Sequence, residues 1–178
     1  MNKYPRFTLH IVQLAAAVLA MAGAADAMAA AASATSTSTV VTPIAIAKAA
    51  DLAFGSIAGG ATAGTVTVSP NGSRSFSGGA VAAGGTSTAA QFNVTGQAGL
   101  TYAIDFSGTS TTLTSGSDTM GFTAISDTSA SAITSGSIAS GTLTGGAQSI
   151  YVGGVLAVGA NQAAGSYTGS VNVAVNYN

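Results

Sequence analysis

The sequence contains no cysteine, no tryptophan and no glutamate, and its single histidine is His10. Without cysteine the chain has no disulfide, the cross-link on which many small secreted domains depend. Its stability must therefore come from burial, from strand pairing or from partner subunits. Zinc sites are built largely from Cys and His, so the sequence predicts no zinc centre beyond residue 10.

Charge is also scarce, with four Lys and Arg and five Asp in 178 residues. A chain this poor in basic residues lacks the basic surface patch that is typical of nucleic-acid-binding proteins. General acid–base catalysis needs a group that titrates near neutral pH, and a nucleophilic Ser or Thr needs a base beside it. Beyond residue 27 the charged residues are Lys48, Arg74, Asp51, Asp105, Asp118 and Asp127. We therefore expect no enzyme and no cofactor, and regard a calcium site in the hydroxyl-rich loops around Asp118 and Asp127 as the lesser alternative.

The amino end has the layout of a secretory signal peptide. Lys3 and Arg6 precede a largely apolar stretch over residues 7–25, and small residues suited to cleavage follow. This pattern predicts a signal peptide over residues 1–27, to be excluded from the fold. The alternative is a membrane anchor, because the apolar stretch approaches the length that spans a bilayer. No positive cluster follows it, which favours the signal peptide.

Residues 28–42 are Ala, Ser, Thr and Val with one Met. Such a segment cannot bury enough apolar surface to fold alone, but its Thr and Val content favours an extended conformation. We therefore predict an extended N-terminal arm. Its apolar character depends mainly on Val40 and Val41, the residues expected to act in a donor strand.

From residue 43 onward, apolar residues alternate with small or polar ones, which is the pattern of half-buried strands. Gly pairs and an Asn71-Gly72 turn separate the runs. Many short strands with frequent turns predict an all-β fold for residues 43–178, a sandwich or a barrel. Residues 107–144, rich in Gly, Ser and Thr, form either short strands joined by loops or a flexible low-complexity segment. The runs are centred on Ile44 and Ile46, Val66 and Val68, Phe92 and Val94, Leu100 to Phe106, Met120 and Phe122, and Ile150 and Val152.

The last residues form the most regular pattern in the chain. Alternate apolar side chains predict a strand with one face in the core. Gly165 is the fourteenth residue from the end and Tyr177 is the penultimate one. The residues singled out for this strand are Gly165, Tyr167, Val171, Val173, Val175 and Tyr177.

This terminal pattern resembles that of chaperone–usher pilus subunits. Four short segments, at residues 42–46, 51–57, 64–68 and 152–156, are similar to a family of secreted proteobacterial domains of unassigned function that is related to archaic pilins. The likeness runs from about Thr42 to the end. The sequence departs from the common pilins in lacking a Cys pair, which points to the archaic branch.

The resemblance implies an immunoglobulin-like β-sandwich that lacks one strand. It implies two assembly partners, a periplasmic chaperone that completes the sandwich during export and an outer-membrane usher. In the fibre, the N-terminal arm of a neighbouring subunit replaces the chaperone strand by β-augmentation. We therefore expect a structural subunit of a surface pilus, exported through the periplasm to the surface of a Gram-negative bacterium. The alternative is a stand-alone secreted adhesin or glycan-binding domain.

Overall fold

The computed structural model describes residues 30–178, so the predicted signal peptide and the first two residues of the arm lie outside the described residues. The contacts divide the chain after Thr39. Residues 30–39 contain no helix or strand. Val40–Asn178 form the folded unit. Over the described range, no helix is long and apolar enough to cross a bilayer.

The folded unit consists of strands joined by turns, with no α-helix in the described residues and one 3-10 turn at Thr144–Gly146. This confirms the prediction of an all-β fold. The strands are β1 (Ala45–Ala50), β2 (Ile57–Ala58), β3 (Gly64–Val68), β4 (Arg74–Gly78), β5 (Val81–Ala82), β6 (Ala90–Thr95), β7 (Thr101–Asp105), β8 (Thr112–Ser115), β9 (Asp118–Asp127), β10 (Ser140–Thr142), β11 (Ala147–Val158) and β12 (Ala174–Tyr177).

The strands pair antiparallel in three sheets. The largest sheet has the order β1-β6-β11-β3-β4, and β9 joins it on β11 with β8 beyond. A second sheet has the order β10-β7-β12, and β2 pairs with β5 as a short ribbon. The second sheet packs on part of the first, which gives a sandwich-like arrangement of curled sheets.

Strand β11 joins two halves of the large sheet. Its first half pairs with β6, from Ala147 to Val152, and its second half pairs with β3, from Gly154 to Val158. Strand β9 pairs with residues 151–157 and overlaps both. Because β9 occupies one edge of β11, β6 and β3 must both lie on the other edge. The partner on that edge changes from β6 to β3 at Gly153.

The two halves of β11 belong to two hydrophobic clusters. Ile150 and Val152 are fully buried in the first cluster, between the large sheet and the β10-β7-β12 sheet. Leu156 and Val158 lie in the second cluster, beside Phe122 of β9. Gly154 lies between them, and a side chain there would collide with the Phe122 ring. One strand therefore supplies both cores through residues of the same face.

Most of the predicted strands are present, including the one centred on Phe92 and Val94 in β6. Within residues 107–144, strands β8, β9 and β10 alternate with loops, so the low-complexity alternative is wrong. Leu100 was expected on the core face of β7, but it precedes the strand and is 36% exposed. Its backbone instead pairs with Leu143 across a loop.

Gly153 should tolerate no side chain. A Cβ at this position would overlap the Val68 carbonyl, which is backbone and cannot rotate away. We expect Gly153→Ala to lower the free energy of unfolding by about 3 kcal/mol, at the upper end of the usual cost of overpacking. Thermal unfolding followed by circular dichroism measures the loss.

The matched control is Gly121→Ala in β9, where a Cβ would make only ordinary contact with Ala157 at 3.6 Å. It should leave the unfolding temperature nearly unchanged. Equal stability of the two variants would contradict the close approach of β3 to β11.

Candidate functional site

An open groove of about 950 Å³ lies over the second hydrophobic cluster. Its floor is apolar and comes from β8, β9 and β11. One side is residues 51–59, here called the first wall, and the other is residues 162–171, the second wall. The floor residues are Leu113, Met120, Phe122, Leu156 and Val158.

Two hydrogen bonds join chain segments that flank the walls. Next to the walls, the Asn161 N–H donates to the Gly60 carbonyl at 2.8 Å. Farther along, the Tyr177 hydroxyl donates to the Thr42 carbonyl at 2.7 Å. The first bond therefore joins the walls at one end, and the second joins the segments that lead away from their other ends.

From Thr168 of the second wall to Asn172 just beyond it, the backbone hydrogen-bonds along one edge only. Thr168 exchanges two backbone bonds of 2.9 Å with Thr114 of β8, and the Ser170 carbonyl accepts from the N–H of Ser110. The Asn172 N–H and carbonyl both bond to the Thr109 hydroxyl, at 3.0 and 2.9 Å. All of these bonds engage even-numbered residues.

The odd-numbered residues face the other way. In an extended chain the N–H and C=O of successive residues point to opposite edges. The backbone groups of Tyr167, Gly169, Val171 and Val173 have no hydrogen-bond partner among residues 30–178. They form what we call the free edge, on the side of the segment opposite to its bonds with Ser110 and Thr114. An unpaired edge of this kind is a template for another strand.

The first wall is held from its outer side. Ala53 exchanges backbone hydrogen bonds of 2.9 and 3.0 Å with Thr88, and Ser56 does the same with Gly84 and Ala83. Inside the groove, the Phe54 ring lies edge-on to Phe122, with centroids 6.1 Å apart. The wall thus presents apolar side chains to the floor while its backbone bonds are made elsewhere.

Three of the six predicted strand residues line this groove, and the other three lie beyond it at the first cluster. Val175 is buried in β12, and Val173 and Tyr177 pack against the first cluster. Val171 packs against both clusters, Tyr167 packs against the second, and Gly165 is exposed in the second wall. The regular strand is shorter than predicted, because only Ala174–Tyr177 pairs continuously with β7.

The two predicted donor-arm residues lie at the start of the folded unit. Val40 is 94% exposed and Val41 is 39% exposed. Thr42, which follows them, is fixed by the Tyr177 hydroxyl and by the side-chain oxygen of Gln97, to which its N–H and hydroxyl both donate at 3.3 Å.

The floor and the first wall were not predicted as functional. Phe54, Met120, Phe122 and Leu156 were visible in the sequence only as core candidates or as parts of a similar segment. Their shared role depends on long-range pairing of β9 with β11, which no local pattern reveals. The signal that could have found them is the mismatch between a strongly apolar strand pair and the small residues of 163–170 expected to cover it.

The titratable groups lie mostly outside the groove. Burial raises the pKa of the Tyr102 hydroxyl, which donates to Gln148 at 2.8 Å in the first cluster. Hydrogen bonds from the Ser107 hydroxyl and N–H lower the pKa of Asp105, which is at the surface. In the part of the chain that the structure describes, no group of three or more His, Cys, Asp or Glu could hold a metal ion. The features of the groove that bear on function are therefore its open shape and its free backbone edge.

Comparison with family models finds a match over residues 44–177 to DUF4402, a domain of unknown function. The matched range includes the whole groove. No match is found among curated proteins or among solved structures.

The Tyr177 hydroxyl should contribute measurably to stability, because it also accepts the part-buried N–H of Gln97 at 2.6 Å. We expect Tyr177→Phe to lower the free energy of unfolding by about 1–2 kcal/mol, the cost of leaving such groups without partners. Denaturant unfolding provides the measurement.

Tyr151→Phe in β11 is the control, since no hydrogen bond of the Tyr151 hydroxyl occurs among the described residues. It should unfold like the native protein. If both variants lost the same stability, a specific contribution of the Tyr177 hydroxyl bonds to Thr42 and Gln97 would be refuted.

Proposed function

Because the chain belongs to the DUF4402 family, whose description assigns no activity, we propose its function from the groove: it is a structural subunit that polymerises by accepting a strand from a neighbouring copy. The observation that carries the proposal is the free edge of Tyr167, Gly169, Val171 and Val173 beside an apolar floor. β-augmentation needs these two features, backbone groups for affinity and pockets for alternate side chains.

The size of the groove fits a short strand. The free edge spans residues 167–173, seven residues that extend over about 23 Å at the usual strand rise. An inserted strand of similar length would pair with the free edge and lie between the walls, above Met120, Phe122 and Leu156, which are already less than 9% exposed. Its inward side chains must be small or apolar, because the floor offers no charged partner.

The N-terminal arm of a second copy has the required chemistry. Residues 28–42 contain no charge and consist almost wholly of Ala, Ser, Thr and Val. With fifteen residues, the arm is about twice as long as the free edge. The described part of the arm before Val40 contains no strand of its own, so its backbone groups are available to pair.

The resulting contact is head-to-tail, since the arm and the groove are different surfaces. Heterologous contacts that do not close into a ring propagate as open fibres. Together with the similarity to chaperone–usher subunits, this supports a pilus subunit with an incomplete immunoglobulin-like sandwich. A chaperone that covers the groove before assembly, and an outer-membrane usher, would be its export partners. A stand-alone adhesin would instead have no use for the free edge.

Removing residues 28–41 should abolish polymerisation while the groove remains intact. We expect chains that begin at Met28 to form multimers that resist detergent until heated, and chains that begin at Thr42 to remain monomeric. Unheated gels and size-exclusion chromatography measure the difference.

In a third chain, residues 28–41 are replaced by the same number of Gly and Ser residues. This chain shows whether polymerisation requires the sequence of the arm or only its length. It should behave like the truncated chain, because Gly and Ser supply no apolar side chains for the floor. The proposal fails if native and truncated chains are both monomers of equal stability.

A further inference from the structure

Arg74 contacts the first wall from outside the groove. It lies in β4, and its Nη1 donates to the Phe54 carbonyl at 2.5 Å and lies 3.5 Å from the Gly84 carbonyl. Its guanidinium also lies over the Phe76 ring, 5.0 Å from the centroid. One side chain therefore joins β4, the first wall and the loop that supports the wall.

The surroundings of Arg74 are shaped to admit this contact. Gly55 has a φ of +72°, and a Cβ there would occupy the position of Nη1. Within residues 30–178 the ion pair that forms is between Lys48 and Asp51, at 2.6 Å, and Arg74 takes part in none. The guanidinium is thus committed to backbone carbonyls. Hydrogen bonds from a charged donor are about twice as strong as neutral ones.

Phe54 transmits this anchoring to the floor. Its carbonyl accepts from Arg74 on the outer side of the wall, and its ring lies edge-on to Phe122 inside the groove. Phe122 is only 6% exposed, and the Phe54 side chain is one of those packed over it. An anchor on the outer side of the wall therefore fixes where Phe54 meets the floor.

We propose that Arg74 is a positioning residue that holds the first wall, and with it the Phe54 ring, in the position that an incoming strand would meet. Arg suits this role better than Lys, because its planar group can reach two carbonyls and stack on a ring at the same time. The role of the incoming strand rests on the proposed function. The anchoring of the first wall by Arg74 is independent of the proposed function.

Hydrogen exchange of the full chain, read by mass spectrometry, tests the anchoring. In Arg74→Met we expect the amides of Ala53 and Ser56 to exchange about tenfold faster, since their bonds to Thr88 and Gly84 depend on the wall position. Amides of β6 and β11 should change less than about twofold. Arg74→Lys, which keeps the charge but not the planar group, should fall between Arg74→Met and the native chain.

Lys48→Met is the matched control. It removes the other cation of the folded unit, which also contacts the first wall, through Asp51, but whose ion pair is largely exposed, and exposed pairs contribute little. Its exchange at Ala53 and Ser56 should match that of the native chain. If Arg74→Met leaves these amides unchanged, or accelerates β11 equally, Arg74 does not position the wall.

The same variants on unheated gels connect the wall to assembly. If native chains form multimers, Arg74→Met should reduce the multimeric fraction severalfold and Lys48→Met should not; equal assembly would contradict the role of Arg74 in positioning the first wall for an incoming strand. If native chains remain monomeric, the proposed function as a polymerising subunit is wrong. The hydrogen-exchange result alone then tests whether Arg74 anchors the first wall.

Discussion

The structure depends on β11 pairing with two strands along one edge. At Gly153 the partner changes from β6 to β3, and the carbonyl of Val68 approaches so closely that no side chain fits. Because β9 runs along the opposite edge past this point, the two halves of the large sheet cannot separate. One strand therefore fixes the relative position of both hydrophobic clusters.

The two clusters are covered differently, and this difference creates the groove. Over the first cluster, Tyr102, Ile104 and Val175 of the β10-β7-β12 sheet form a complete second layer. Over the second cluster, the covering residues Leu52, Phe54, Tyr167 and Val171 come from the two walls. The backbone bonds of both wall segments are made largely to other parts of the chain, so no strand ladder joins residues 51–59 to residues 162–171 and the open groove lies between them.

The sequence predicted the strands well, because period-two alternation is a local property that survives in β3, β6 and β9. It also placed Val171, Val173 and Tyr177 on one inward face. It could not predict the floor, since Phe122 and Leu156 meet only through the register of β9 with β11. Arg74 appeared in the sequence as an isolated charge, and its contact with Phe54 depends on a turn at Gly55 that composition does not reveal.

The hydroxyl residues explain why the second wall keeps its other edge free. Ser110 and Thr109 accept the N–H groups of Ser170 and Asn172 through their side chains, where a regular ladder would use backbone carbonyls. A side chain acceptor adds spacing between the two segments, so the wall follows β8 loosely and does not merge into the sheet. The Ser- and Thr-rich composition, which alone would suggest a flexible linker, here supplies the bonds that hold an unpaired edge extended. A wall held in this way presents its backbone groups in register before any partner strand arrives, which lowers the ordering cost that strand addition must overcome.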